Sequence, residues 1–153
     1  MKLLTNPFSQ YLRDVRPGIT LLILFAVIRF LLKPVFQVPY ARGTNFASVT
    51  ILLFILTVFY SVKAAHSSGT YRDILGIAAA LSVVTAALVV VAIGVDEFGG
   101  IDTYYTDPAH GGNLNPWVHM GAHAVGAVIF TMIMWGIGSL VFRFTGAGRQ
   151  RQA

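Results

Sequence analysis

Cysteine is absent from the 153-residue chain. Disulfides, thiolate metal sites and cysteine nucleophiles are thereby excluded. Charge is also scarce: 11% of residues are charged, against 56% hydrophobic. A soluble domain carries about 25% charged residues. So few charges cannot cover a water-facing surface, so lipid is the expected solvent for much of this chain. Acids are the rarest charges, six in all. None falls inside a long apolar stretch, which removes the buried carboxylate pairs of acid–base catalysis. There is no phosphate-binding loop, no G-x-S-x-G elbow and no internal repeat.

Four long apolar stretches are present: 18–38, 46–65, 74–95 and 116–142. Each approaches or exceeds the roughly 20 residues that cross a hydrocarbon core of about 30 Å. Backbone groups in lipid must be satisfied within their own segment, so helices are expected. The expected fold is all-α, a single membrane domain of four transmembrane helices in a bundle. Residues 96–115 form its long extracytoplasmic loop.

Lysine and arginine set the orientation. Lys2, Arg13 and Arg16 precede the first span, Lys63 and Arg72 flank the short second loop, and Arg143, Arg149 and Arg151 follow the last span. Four passes put these groups on one side. Across from them lie Arg42, Asp96, Glu97, Asp102 and Asp107. Both termini are therefore expected in the cytoplasm of a cell (inner) membrane, with the first span an uncleaved anchor. The basic excess is a topology signal and does not point to nucleic acid. Residues 1–16 carry Leu3, Leu4, Phe8, Tyr11 and Leu12 among charges, a pattern for an amphipathic segment on the inner surface.

Three polar residues inside the spans invite a function. Arg29 lies mid-way along span one, with Lys33 one turn later on the same face. A mid-membrane charge costs about 2.5–3.5 kcal/mol on insertion scales. Three outlets exist for it: snorkelling toward headgroups or the acidic loop, an acidic or carbonyl-rich partner subunit, or an anionic group of a cofactor or lipid. The other two are His119 and His123 in NPWVHMGAHAVGA. Asn115 caps and Pro116 opens their helix. The histidines then sit one turn apart on one face, about 4.5 and 10.5 Å along the axis from Pro116.

That pair has several readings. Neutral, hydrogen-bonded helix–helix contacts are the plainest. Ligation of haem or a chlorophyll-type pigment by one histidine is another. A divalent metal on both is a third, with Asp96, Glu97, Asp102, Asp107 or His110 completing its shell; the bare H-x-x-x-H spacing makes them weak metal candidates, lacking the glutamate of H-E-x-x-H. Ser82 and Thr85 in span three are expected to bond back to their own helix.

The leading expectation for function is a non-catalytic accessory or anchor subunit of a larger energy-transducing or transport complex. Its partners would be other membrane subunits, met through the Arg29/Lys33 face and the small-residue faces, and lipid. The alternatives are a redox subunit holding a haem, pigment or metal through His119, His123 or Arg29, a small membrane enzyme, and an oligomeric transporter. No residue is assigned a catalytic role.

Overall fold

The computed structural model describes residues 3–46, 48–67, 69–110, 112 and 115–145. Lys2, Arg149 and Arg151, used above for orientation, lie outside these. Six α-helices follow in order: α1 (Phe8–Asp14), α2 (Arg16–Leu32), α3 (Tyr40–Phe46), α4 (Val49–His66), α5 (Tyr71–Gly99) and α6 (Pro116–Phe144), with a single 3-10 turn at Pro108–His110 before α6. No strand occurs among the described residues. Helices α4, α5 and α6 are each long and apolar enough to cross a membrane, and α1 with α2 makes a fourth candidate, bent by 72° between them.

Local chemistry sets the helix ends. Thr70 and Asp73 form a reciprocal capping box at the start of α5, which satisfies two orphan N–H groups at once. At the other end Gly100 takes φ 63°, a left-handed cap that suits glycine. The helix therefore begins before and ends after the 74–95 stretch, and it carries Asp96 and Glu97 in its last turn. Ser48 caps α4 by accepting from Ile51 N–H at 3.3 Å. Asn115 Oδ1 accepts from Trp117 N–H at 3.0 Å and Pro116 follows it. The first stretch stops being helical at Leu32, earlier than hydropathy suggests. Pro34 lacks an amide hydrogen, and Gln37 turns the chain at φ 52°. Between the first two apolar stretches the chain forms the short helix α3.

Helix α5 is central, packing against α1, α2, α4 and α6. By contrast, no Cα of α2 lies within 8 Å of one in α6 among the described residues. The main core lies toward the end where α5 begins. Tyr11, Val15, Leu22, Leu53, Leu56, Tyr60, Ile74 and Leu81 are buried there together. Tyr11 donates its hydroxyl to Asp73 at 2.8 Å, which ties α1 to the start of α5. Its ring lies so close to Gly76 that a Cβ there would come within 2.5 Å of it. The segment expected along the membrane surface is thus anchored in the core by one tyrosine. Outward faces remain apolar on α2 (Leu21, Leu24, Ile28), α4 (Ile51, Ile55, Phe59) and α6 (Val125, Val128, Ile129, Met132). Apolar surface on this scale is stable in lipid and a liability in water.

Candidate metal centre

At the far end of α5 the chain turns back over the bundle. The turn is held by one buried carboxylate. Asp96, 2% exposed, accepts from Thr103 N–H at 3.1 and 3.0 Å on its two oxygens, from Thr103 Oγ1 at 2.5 Å and from Thr106 Oγ1 at 2.6 Å. Gly100 and Asp102, both at positive φ, let the loop double back within a few residues. By hydropathy Asp96 opens the extracytoplasmic loop 96–115. It is instead an internal staple, because α5 runs one turn further than hydropathy marks.

The stapled loop directs two tyrosines inward. Tyr104 donates to the Val38 carbonyl, and to that of Pro39 at 3.2 Å. Its ring meets Tyr40 edge-on at 5.5 Å. Tyr105 is 1% exposed and packs with Val89 and Ile93. Burial pushes its phenol up to about 12, so it is a neutral donor at physiological pH. The guanidinium of Arg29 lies 5.3 Å from the Tyr105 ring centre and 5.9 Å from that of Tyr104. Arg29 is 7% exposed, facing the bundle interior. Lys33 pairs with the chain's own acids, Asp102 at 2.5 Å and Asp107 at 3.6 Å. The face read as a subunit contact is therefore occupied at Lys33 by the loop of the same chain, and Arg29 turns inward.

After Asp107, whose carboxylate accepts from Ala109 N–H at 3.0 Å, the 3-10 turn delivers His110. Its ring stands 5.6 Å from His119 and 5.4 Å from His123, which are 5.2 Å from each other. One nitrogen from each of the three lies within 4.8 Å of the others. Three imidazoles on one tetrahedral ion, at about 2.0–2.1 Å each, would be about 3.3–3.4 Å apart. Binding would require the rings to turn toward one another to close that gap. Among the described residues His119 Nδ1 and Nε2 and His110 Nε2 are buried with no hydrogen-bond partner. Buried polar nitrogens normally have one. Burial, the nearby Arg29 charge and the other two histidines push His110 down to about 4, so near neutral pH it is the unprotonated, ligand-competent form.

His119 and His123 were legible from their spacing; His110 was only one of five groups set beside them as a possible completing ligand. The other four do not join the cluster among the described residues. Asp96 is committed to the threonines, and Asp102 and Asp107 to Lys33.

Two of the three histidines, His110 and His123, border a cavity of about 400 Å³ between the helices. Arg29, Tyr105, His110 and His123 line it, with Ser82 and Thr85 of α5 on the opposite wall. The hydroxyls of Ser82, Thr85 and Tyr105 are also buried without a hydrogen-bond partner among the described residues. Elsewhere in the bundle Thr57, Ser61 and Thr131 each donate to the carbonyl four residues earlier, at 2.9, 2.7 and 2.8 Å, whereas Ser139 of α6, outside the cavity, also meets no partner among the described residues. Ser82 and Thr85 depart from that pattern in the cavity wall. Comparison with family models, curated proteins and solved structures finds no match for this chain.

Proposed function

We propose that this protein is an integral membrane metalloprotein that binds one first-row divalent ion, zinc being the simplest case, through His110, His119 and His123. The supporting observation is the convergence of three imidazoles from two separate elements, with buried nitrogens that meet no hydrogen-bond partner among the described residues. Histidine nitrogens suit zinc, copper, iron and nickel, and three protein ligands leave one coordination position open. The rings pack on one another at 5.2–5.6 Å, a spacing that suits a small ion between them. The basic residues at the opposite end of the bundle support a cytoplasmic placement of both termini in a cell inner membrane. The centre then lies at the outer leaflet.

The test is metal content. Protein purified in mild detergent without chelator is expected to hold one zinc per chain by elemental analysis. His119→Ala and His123→Ala are expected to lose it while keeping the helical circular dichroism. Wild-type protein that takes up no divalent ion would contradict the proposal.

A second reading, an accessory subunit of a larger membrane complex, is supported by α6. Gly121 and Gly136 have open space where a side chain would stand. Small residues of this kind let a neighbouring helix approach closely. Partner polypeptides that co-purify in fixed ratio, and are lost on Gly121→Leu or Gly136→Leu, would support it. The two readings are compatible, since the histidines face the bundle interior.

A further inference from the structure

The cavity beneath the histidines has a chemistry of its own. Arg29 stands in its wall, held against the faces of Tyr104 and Tyr105. A metal on the triad would place a second positive centre at its rim. No carboxylate is found among the described residues that line it. The buried carboxylate at this end, Asp96, is directed at Thr103 and Thr106. The wall also carries the hydroxyls of Ser82, Thr85 and Tyr105, each able to donate and each without a partner among the described residues. Two cationic centres in a low-dielectric pocket repel a permeating cation and attract an anion. A guanidinium suits a pair of oxygens in one plane, and hydroxyl donors suit the rest.

We infer that the cavity binds an oxyanion, a carboxylate or phosphate, with one oxygen at the open position of the metal and another on Arg29. This rests on the metal-binding reading and adds the class of ligand. Ser82 and Thr85 then donate to the oxygens turned toward the membrane interior. The same chemistry is offered by a free anion and by a lipid headgroup. An apolar groove between α5 and α6 shares Ala86 and Ala127 with the cavity, so both sources belong in the test.

The experiment uses the full chain in mild detergent, loaded with Co²⁺, whose visible bands report its coordination shell. Inorganic phosphate, acetate and short-chain phosphatidic acid are titrated separately. A saturable change of the cobalt bands with at least one of the three is expected. Arg29→Gln is expected to retain one cobalt per chain and to weaken that anion about tenfold or more, with Arg29→Lys in between. A response to phosphate or acetate assigns a free anion, and a response to phosphatidic acid alone assigns a lipid headgroup. Should Arg29→Gln fail to fold, the Ser82→Ala/Thr85→Val pair is expected to weaken the anion severalfold with cobalt retained. Cobalt bound one per chain with bands that none of the anions moves, or an Arg29→Gln titration matching wild type, would overturn the oxyanion site and leave the metal site standing. Failure to bind cobalt at all would instead overturn the metal reading.

Discussion

The imidazole of His110 stacks on that of His123, with ring centres 5.4 Å apart and planes 30° from parallel. One belongs to a 3-10 turn in a loop and the other to the second turn of a membrane helix. Nothing local brings them together. The contact exists because Asp96 anchors the intervening loop to the end of α5, and because Asn115 and Pro116 start α6 directly after that loop. A staple made of hydrogen bonds to one carboxylate thus assembles a cluster of three imidazoles.

Divalent ions should stabilise the folded protein. A ligand that binds only the native state adds about 2.7 kcal/mol at a concentration 100 times its Kd. Zinc is therefore expected to raise the midpoint of thermal unfolding in detergent, and chelator to reverse the shift. The increment should vanish in His110→Ala, although that residue lies outside every apolar stretch. A full zinc-induced shift in His110→Ala would limit the centre to the two helical histidines.

Asp96→Asn tests the staple. The substituted amide keeps one acceptor oxygen and adds a donor where Thr103 and Thr106 already donate. Hydrogen bonds to a charged group contribute about 1.5–3 kcal/mol each. The expected outcome is faster hydrogen exchange across 100–110 and zinc affinity lowered about tenfold or more, with the helices unchanged. Unaltered exchange in the loop would show that Lys33 with Asp102 and Asp107 suffices to hold it.

At the other end of the bundle, Tyr11→Phe removes the hydrogen bond to Asp73 but keeps the ring over Gly76. The expected loss is about 1.5 kcal/mol of stability, the lower end for a hydrogen bond to a charged group, since this one is only partly buried. Zinc binding should not change, since this end lies away from the histidines. Gly76→Ala should cost more, because its methyl group would meet the Tyr11 ring at 2.5 Å. Denaturant or thermal unfolding in detergent of the two variants, side by side, checks the order.

Acid should loosen the loop in metal-free protein. His110 is held down to about 4 by burial first, then by the Arg29 charge and the other two histidines. In the unfolded loop it titrates near its ordinary value of about 6.5. Between these values the unfolded state binds more protons, so this contribution to stability falls as pH drops. The loss begins as pH passes below about 6.5 and levels off below about 4. Hydrogen exchange of residues 104–110 measured from pH 8 to pH 4 is expected to follow this course and to flatten in His110→Asn.

Much of the fold was legible because lipid imposes simple rules. Long apolar stretches with few charges become helices, and Asn115-Pro116 marks the start of α6 to the residue. The pairing of Thr70 with Asp73 and the cap at Gly100 moved the ends of α5 beyond its apolar stretch, and hydropathy does not register either device. The candidate site was half legible. His119 and His123 share a face by helical spacing alone. His110 reaches them only through a loop whose path depends on Asp96, and a carboxylate that looks like a solvated loop acid in the sequence gives no sign of being a buried acceptor. Arg29 stood out as a charge within a span. Its setting against Tyr104 and Tyr105 depends on the same loop, so it was as hidden as His110.

The most direct measurement is X-ray absorption at the zinc edge of the purified, zinc-loaded protein. Three imidazoles at about 2.0–2.1 Å and one further light atom are the expected shell, falling to two imidazoles in His110→Ala. A shell of oxygens alone, or one with a single imidazole, would contradict a centre built from His110, His119 and His123.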